Sequence, residues 1–159
     1  MYQPQTYILP RRLTGVQTLC FTMQDKVHLK GFVFARKNRA EIRNSAGSAD
    51  HIYGDSFRRE KDAVVDIGNN VSLAFEEMDF GSGGKRLLTV HGATALNACL
   101  VNVRIRDAEG AESSQMLSFD HAEHMTPQTF PVTVPAGVCT VTFVFLPGSR
   151  FDFDSFHFH

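Results

Sequence analysis

Apolar side chains recur with a period of two along most of the chain. Five runs show this alternation, at residues 19–23, 71–75, 101–105, 130–134 and 141–145. A β-strand directs successive side chains to opposite faces of a sheet, so each run has one face for a core and one for solvent. Turn-forming residues separate the runs at 107–110, 135–137 and 146–149. This pattern predicts an all-β fold, an antiparallel β-sandwich of the jelly-roll type.

The stretch from Arg36 to Gly68 is different, because it is polar and charged and has no strong period. We expect it to form long connecting loops across one end of the sandwich, with a short helix after Asp55. Loops on a rigid scaffold often carry binding sites.

Two segments near the ends of the chain resemble each other. Residues 15–21 are similar to residues 137–143, and residues 26–34 are similar to residues 150–158. In both copies the apolar positions change parity partway along the second strand. Such a change requires a bulge or a sharp twist, so we expect both hairpins to bend at the same place. Duplication of one unit and independent hairpin patterning both explain the likeness.

Length, charge and cysteine content limit the classes of function and partner that the chain can have. A chain of 159 residues fits one compact domain. A formal net charge of −1 does not favour nucleic acid or an anionic membrane as a partner. No apolar run approaches the roughly 20 residues that span a bilayer. Cys20, Cys99 and Cys139 are an odd number, which favours free thiols in a reducing, cytoplasmic compartment. We expect all three to be buried.

The sequence shows no catalytic motif. Glu76 and Glu77 are adjacent, so in a regular strand they would point to opposite faces and could not act as a pair. Residues 81–85 are rich in glycine but fail the phosphate-loop spacing, and we expect a hairpin turn there. His157 and His159 would share a face of a strand, but no third ligand at a fixed spacing completes a metal site. No catalytic residue is predicted.

Several phrases resemble a known family. Residues 68–75 and 78–81, and the ending at 137–145 and 151–158, resemble family 6 carbohydrate-binding modules, which are galactose-binding-like β-sandwiches. Residues 13–15, 25–32 and 52–55 resemble the C-terminal module of family 2 glycoside hydrolases, the β-galactosidase group. The resemblance implies that residues 36–159 form the sandwich. Residues 1–35 then resemble its closing hairpin, within one compact domain overall.

The resemblance also implies a function. A bacterial accessory module of this kind would bind a glycan such as a galactoside and accompany the catalytic domain of a parent hydrolase. Its ligand-binding residues would be Tyr53, Phe57, His124 and Asp152. No cofactor is required, although related modules hold a structural Ca²⁺, for which Glu41 and Asp154 are the candidate ligands.

A second function remains open. The chain has no Trp and only three Tyr residues, although sugar-binding members generally present an aromatic platform. A structural module that packs against a catalytic domain or a sister subunit, without binding sugar, is therefore the alternative. The sequence does not indicate an oligomeric state.

Overall fold

The computed structural model describes residues 3–7, 9, 16–34, 37–85 and 87–159. The chain divides into two units, Met1–Arg36 and Lys37–His159. The described residues of the first unit form no helix or strand, so the strand predicted at 19–23 is absent. The assignment of residues 1–35 as a second closing hairpin stays a prediction.

The second unit consists almost entirely of antiparallel strands. They are β1 (Asn44–Ser45), β2 (His51–Tyr53), β3 (Arg58–Arg59), β4 (Val64–Ile67), β5 (Ser72–Asp79), β6 (Leu87–Asp107), β7 (Glu112–Pro131), β8 (Val138–Phe145) and β9 (Phe151–Phe158). Two short 3₁₀ turns, Arg39–Glu41 and Ala46–Ser48, precede and follow β1.

The long strands β6 and β7 join the two layers of the sandwich. The first part of β6 pairs with β9 and its last part pairs with β8, while β7 follows β6 through both parts. Register shifts between Gly92 and Ala98 mark the place where both strands arch from one layer to the other. One layer therefore has the order β2-β5-β8-β6-β7, and the other has β3-β4-β9-β6-β7. The predicted antiparallel β-sandwich is confirmed.

The parity change predicted in the last strand is a β-bulge. His91 of β6 lies opposite Ser155, whereas the next residue, Gly92, lies opposite Phe153. Asp154 is therefore an extra residue in β9, and the parity of the strand changes there. As a result Phe153 and Phe156 are both fully buried.

The core is built mainly from phenylalanine rings. The ring of Phe143 lies 5.0 Å from that of Phe153 and 4.7 Å from that of Phe156, and Phe156 lies 4.6 Å from Phe75. These tilted and edge-to-face contacts join β5, β8 and β9. β8 and β9, predicted as a hairpin, do not pair with each other, because β8 lies between β5 and β6 in one layer and β9 lies between β6 and β4 in the other. They face each other across the core and supply its centre, and the name closing hairpin is kept below for residues 138–158 in this sense.

Residues 36–68 differ from the prediction. They contain the short strands β1 to β4 rather than long loops across one end, and β3 stands where a helix was expected after Asp55. Strands of two to four residues are too short to show a period. They are held by longer-range contacts, which the sequence pattern does not reveal.

The buried side chain of Arg39 organises this region. It forms an ion pair with Asp50 and donates hydrogen bonds to the Ser48 carbonyl oxygen at 2.9 Å and to Asn44 Oδ1 at 3.3 Å. Its guanidinium carbon lies 5.2 Å from the centre of the Phe75 ring. Arg39 therefore ties the irregular segment to the aromatic core.

Two smaller expectations were also wrong. Cys20 is exposed, although Cys99 and Cys139 are buried and all three are free thiols, as expected. Residues 81–85 are not a hairpin turn, because β5 and β6 are not neighbours in the sheet. The strand β5 is bulged between Phe75 and Met78, so Glu76 and Glu77 are not in a regular strand and both lie outside the core. The compartment stays a prediction.

Two arginine–aspartate pairs offer a matched test of burial. In the Arg39–Asp50 pair the side chains are 10% and 12% exposed, whereas in the Arg43–Asp154 pair they are 55% and 35% exposed. We expect Arg39→Ala to lower the free energy of unfolding by about 3–5 kcal/mol, because it removes the guanidinium partner of the buried Asp50 carboxylate. Arg43→Ala should cost about 1 kcal/mol or less. Urea unfolding of both variants measures the difference, and equal losses would contradict it.

The absence of a side chain at Gly92 makes room for the Phe151 ring. A Cβ atom built on Gly92 would lie 2.3 Å from Phe151 Cζ and 2.8 Å from the Asp152 carbonyl oxygen. We expect Gly92→Ala to destabilise the sandwich by about 1–3 kcal/mol through overpacking. In a Phe151→Leu background the same substitution should cost less, because the clashing ring atoms are gone. Thermal unfolding of the four proteins tests this coupling, and additive effects would rule out the proposed clash.

Candidate functional site

One end of the sandwich gathers several connections. These are the β2–β3 loop at 54–57, the β4–β5 loop at 68–71, the β8–β9 loop at 146–150, and the arches of β6 and β7. They meet because β2 and β8 end, and β5 and β9 begin, at this end of the two layers. We call this region the loop end.

Hydrogen bonds join neighbouring connections of the loop end. The Gly68 amide donates to the Ser56 carbonyl oxygen at 2.8 Å, and the Gly148 amide donates to Asn69 Oδ1 at 2.6 Å. Thr94 Oγ1, in the arch of β6, donates to the Arg150 carbonyl oxygen at 2.6 Å. Because each loop is bonded to the next, the loop end offers a pre-organised surface to a ligand.

Tyr53 stands at one edge of the loop end. Its side chain is 63% exposed, and its ring stacks on that of His51 with the centres 6.0 Å apart and the planes 20° apart. The next residue, Gly54, has φ of +127° and passes so close to Val71 that a Cβ atom would lie 2.9 Å from its Cα. A glycine is therefore required there, and the turn fixes where Tyr53 leaves the sheet.

The outer face of the same layer continues from Tyr53 across the sheet. The backbone register places Tyr53 beside Ser72, then Val144, Asn102 and Met116 in one row. The neighbouring row contains His51, Ala74, Thr142, Arg104 and Ser114. Sequence reasoning assigned Asn102 and Arg104 only to the solvent side of a strand. Their place in line with Tyr53 depends on a register that the pattern does not give.

The other predicted ligand residues are placed differently. Phe57 is half-buried and packs against the core, so much of its ring is covered. His124 is exposed at the arch of β7, four strand positions from Tyr53 in the order β2-β5-β8-β6-β7. Three strands, β5, β8 and β6, lie between β2 and β7 in that order. The role of His124 toward a ligand stays a prediction.

Asp152 lies in β9 beside β4, and one of its oxygens serves the fold. The strand β4 is bulged between Val64 and Ile67, and the Asp66 amide donates to Asp152 Oδ1 at 2.8 Å. The bulge interrupts the hydrogen-bond ladder between β4 and β9, and this bond gives the Asp66 amide an acceptor there. The Asp152 carboxylate therefore stabilises a bulge, whatever its role toward a ligand.

The two carboxylates proposed for calcium each contact a different cationic side chain. Glu41 lies 3.1 Å from Lys85 Nζ, while Asp154 lies 2.7 Å from the Arg43 guanidinium and also accepts from Ser155 Oγ. Each already has a cationic partner. Among the residues that the structure describes, no group of three His, Cys, Asp or Glu side chains could hold a metal ion. Calcium binding at Glu41 and Asp154 stays a prediction.

A polar cleft of about 530 Å³ lies at the opposite end of the sandwich. It is lined by Asn38, Glu41, residues 79–85 and His159. Its one phenylalanine, Phe80, is only 4% exposed and packs edge-to-face against Phe158 of the core. The cleft therefore offers polar atoms to a ligand but no exposed phenylalanine or tyrosine ring.

Three histidines line the outer face of the other layer. The ring centres of His91 and His157 are 6.2 Å apart, and those of His157 and His159 are 4.8 Å apart, so His157 and His159 share a face as predicted. Burial lowers the pKa of both His91 and His157, and the nearby charge of Arg43 lowers each pKa further. The Nδ1 atom of His157 is buried without a hydrogen-bond partner. The neutral imidazoles are thus favoured in the folded state.

No helix in the described part of the chain is both long and apolar enough to cross a membrane.

Comparison with known proteins identifies the fold. No protein-family model and no curated protein matches the sequence. Among solved structures, the module CsCBM6-3 from Clostridium stercorarium in complex with cellobiose matches with a TM-score of 0.60 and 23% identity, over 75% of this chain and 93% of that one. A family 6 carbohydrate-binding module from Clostridium cellulolyticum in complex with xylose matches with a TM-score of 0.58 and 20% identity, over 76% of this chain and 98% of that one.

A larger enzyme shows the same likeness over part of its length. A family 43 arabinoxylan arabinofuranohydrolase from Bacillus subtilis, in complex with cellotetraose, matches with a TM-score of 0.60 and 24% identity. The match covers 79% of this chain and 28% of that one. At such identities the likeness concerns the fold, and the sandwich of this chain has the fold of family 6 carbohydrate-binding modules.

The histidine face makes stability depend on pH. A histidine whose pKa is lowered by folding binds fewer protons when folded, so stability is complete above the ordinary pKa of about 6.5 and falls as the pH falls below it. Arg43 and His159 oppose protonation on this face, and only Asp154 favours it at His91. We expect the melting temperature to fall between pH 7.5 and pH 5.5. His91→Asn with His157→Asn should reduce that fall, because neither residue can then bind a proton on unfolding. An unchanged fall in the double variant would contradict the assignment.

Proposed function

We propose that Lys37–His159 is a non-catalytic carbohydrate-binding module whose ligand stacks on Tyr53. The observation that carries this proposal is the exposure of the Tyr53 ring at the corner between the pre-organised loop end and the outer face of the sheet. Among the described residues from Lys37 onward, Tyr53 is the one exposed Phe or Tyr side chain. The family 6 fold supports the same function.

The chemistry of a sugar suits this corner. The C–H face of a pyranose packs on an aromatic ring, while its hydroxyl groups need hydrogen-bond partners around the rim. In the row of Tyr53, the sheet face presents the Ser72 hydroxyl on the neighbouring strand and, beyond Val144, the Asn102 amide, which an oligosaccharide lying along the row could reach. Ser114 Oγ donates to Asn102 Oδ1 at 2.6 Å, which orients the amide so that its NH₂ group can donate to a ligand.

The ligand class follows from the neighbours and from the sequence resemblance. The matched structures contain cellobiose, xylose and cellotetraose, which are neutral sugars built from glucose or xylose. We extend this class to the present chain, and the resemblance to the β-galactosidase group adds galactosides. A parent glycoside hydrolase of that group is part of the proposal. The match to part of a family 43 hydrolase supports an attachment to some hydrolase.

The carboxylates around Tyr53 do not favour hydrolysis. Glu76 Oε1 lies 3.3 Å from His51 Nε2, and the Glu76 amide donates to Asp50 Oδ2 at 2.8 Å. Asp50 is in turn paired with the buried Arg39. These groups are part of the structural network of the irregular segment. We therefore assign this chain no catalytic residue.

A structural role without sugar is the second candidate. Leu100 and Met116 are exposed on the same outer face as Tyr53, at its β6–β7 side, with exposures of 46% and 53%. Apolar side chains on a sheet face suit contact with another protein surface. In that case Tyr53 would be covered by a neighbouring domain rather than by a sugar.

Titration with oligosaccharides tests the proposed site. We expect cellotetraose, xylotetraose or a galactobiose to shift the amide resonances around Tyr53 and Asn102, with a Kd between millimolar and tens of micromolar, which is about −4 to −7 kcal/mol. Tyr53→Ala should abolish the shifts because it removes the stacking ring. Tyr53→Phe should retain most of the affinity, and Asn102→Ala should weaken it.

The controls distinguish the sites and the two functions. Lys85→Ala, in the cleft at the other end, should leave the affinity unchanged. Asp152→Asn keeps the acceptor for the Asp66 amide and adds an amide donor, so it should raise the affinity if Asp152 contacts the ligand. Binding that survives Tyr53→Ala would show that the ligand lies elsewhere. No response to any sugar would favour the structural role.

A further inference from the structure

The N-terminal unit exposes an unusual number of large apolar side chains. Within residues 16–34 they include Phe21, Phe32 and Phe34, which are 52%, 58% and 56% exposed. Leu19, Val27 and Leu29 are also between 40% and 58% exposed. A segment that alternates such residues with polar ones has one apolar face, and that face gains free energy only when something covers it.

The internal repeat identifies what normally covers such a face. Each of these six residues corresponds to a core residue of the closing hairpin β8–β9. The counterparts are Val141, Phe143, Phe151, Phe153, Phe156 and Phe158, all between 0% and 3% exposed. The same pattern is therefore buried in one copy and exposed in the other.

The ring contacts of the two copies also correspond. Phe21 and Phe32 have ring centres 5.1 Å apart at 46°, and their counterparts Phe143 and Phe156 are 4.7 Å apart at 56°. Phe32 and Phe34 are 5.8 Å apart and edge-on, and their counterparts Phe156 and Phe158 are 6.0 Å apart and edge-on. The two arms of the N-terminal segment thus already face each other as β8 and β9 do. This agreement favours duplication of one unit over independent patterning.

We propose that residues 16–34 are a second closing hairpin, and that their partner is another sandwich of this fold whose own closing hairpin is absent. In the present sandwich β8 lies between β5 and β6, and β9 lies between β6 and β4. A segment inserted there gains strand partners on both sides of each arm and a core below. Like β8 and β9, its two arms would pair with neighbouring strands and not with each other, so without those neighbours residues 16–34 have no strand to pair with, which explains why they form no strand here.

The sandwich of this chain is not itself the fitting partner. Its closing place is filled by β8 and β9, whose Phe151 and Phe153 are larger than the corresponding Val27 and Leu29. The charges give a second reason why this sandwich does not fit. Lys30 corresponds to Asp154, and Asp154 pairs with Arg43, so Lys30 in the same place would face a like charge. A partner that accepts Lys30 should carry an acidic residue in place of Arg43.

A hairpin transplant in the full-length chain tests the proposal. Residues 16–21 replace residues 138–143 and residues 27–34 replace residues 151–158, while the loop at 144–150 is kept. We expect one cooperative thermal transition, with a lower midpoint than in the parent because Val27 and Leu29 fill less of the core. In the control, adjacent residues of the 27–34 segment are exchanged in pairs. This keeps the composition but turns the apolar side chains to the other face.

Two results decide the matter. If the transplant shows no cooperative transition, like the control, residues 16–34 are not a closing hairpin and the proposal is wrong.

The charge inference is tested by Arg43→Glu. This substitution should lower the midpoint of the parent, where it faces Asp154, and raise that of the transplant, where it faces the lysine from position 30. A fall in both proteins would overturn the acidic partner position.

Discussion

The packing of Phe143 against Phe153 and Phe156 is the interaction on which the rest of the sandwich depends. It is available only because Asp154 is an extra residue in β9, which lets side chains of both parities enter the core. Through Phe75 the same cluster reaches β5 and the Arg39 guanidinium, and so it holds the irregular segment at 37–50. One bulge therefore connects the centre of the core with the least regular part of the fold.

The candidate sugar site depends on the rigidity of the sandwich and does not contribute to that rigidity. The loops of the loop end are bonded to one another, and Gly54 fixes the place where Tyr53 leaves the sheet. The Tyr53 ring is exposed in a position that folding has already determined, so a ligand would not have to order it. Function on such a sandwich depends on a few surface residues, because the same fold serves many purposes.

The two hairpin copies show what a hydrophobic pattern specifies. Phe143 and Phe156 are buried, and Phe21 and Phe32 make the same ring contact while exposed. Period, parity change and ring pairing are properties of the segment itself, so both copies have them. Burial requires neighbouring strands, and only β8 and β9 have these in the present structure.

The sequence by itself determined the all-β class, the strands β5, β8 and β9, and the parity change at Asp154, because alternation and parity are local. Only the tertiary structure decided which residues share a face. It made β1 to β4 from segments too short to show a period, and it separated His124 from Tyr53. It also placed an Asp152 oxygen where it accepts a hydrogen bond from the Asp66 amide, and it aligned Asn102 with Tyr53. These outcomes depend on strand order and register, which contacts between distant residues set.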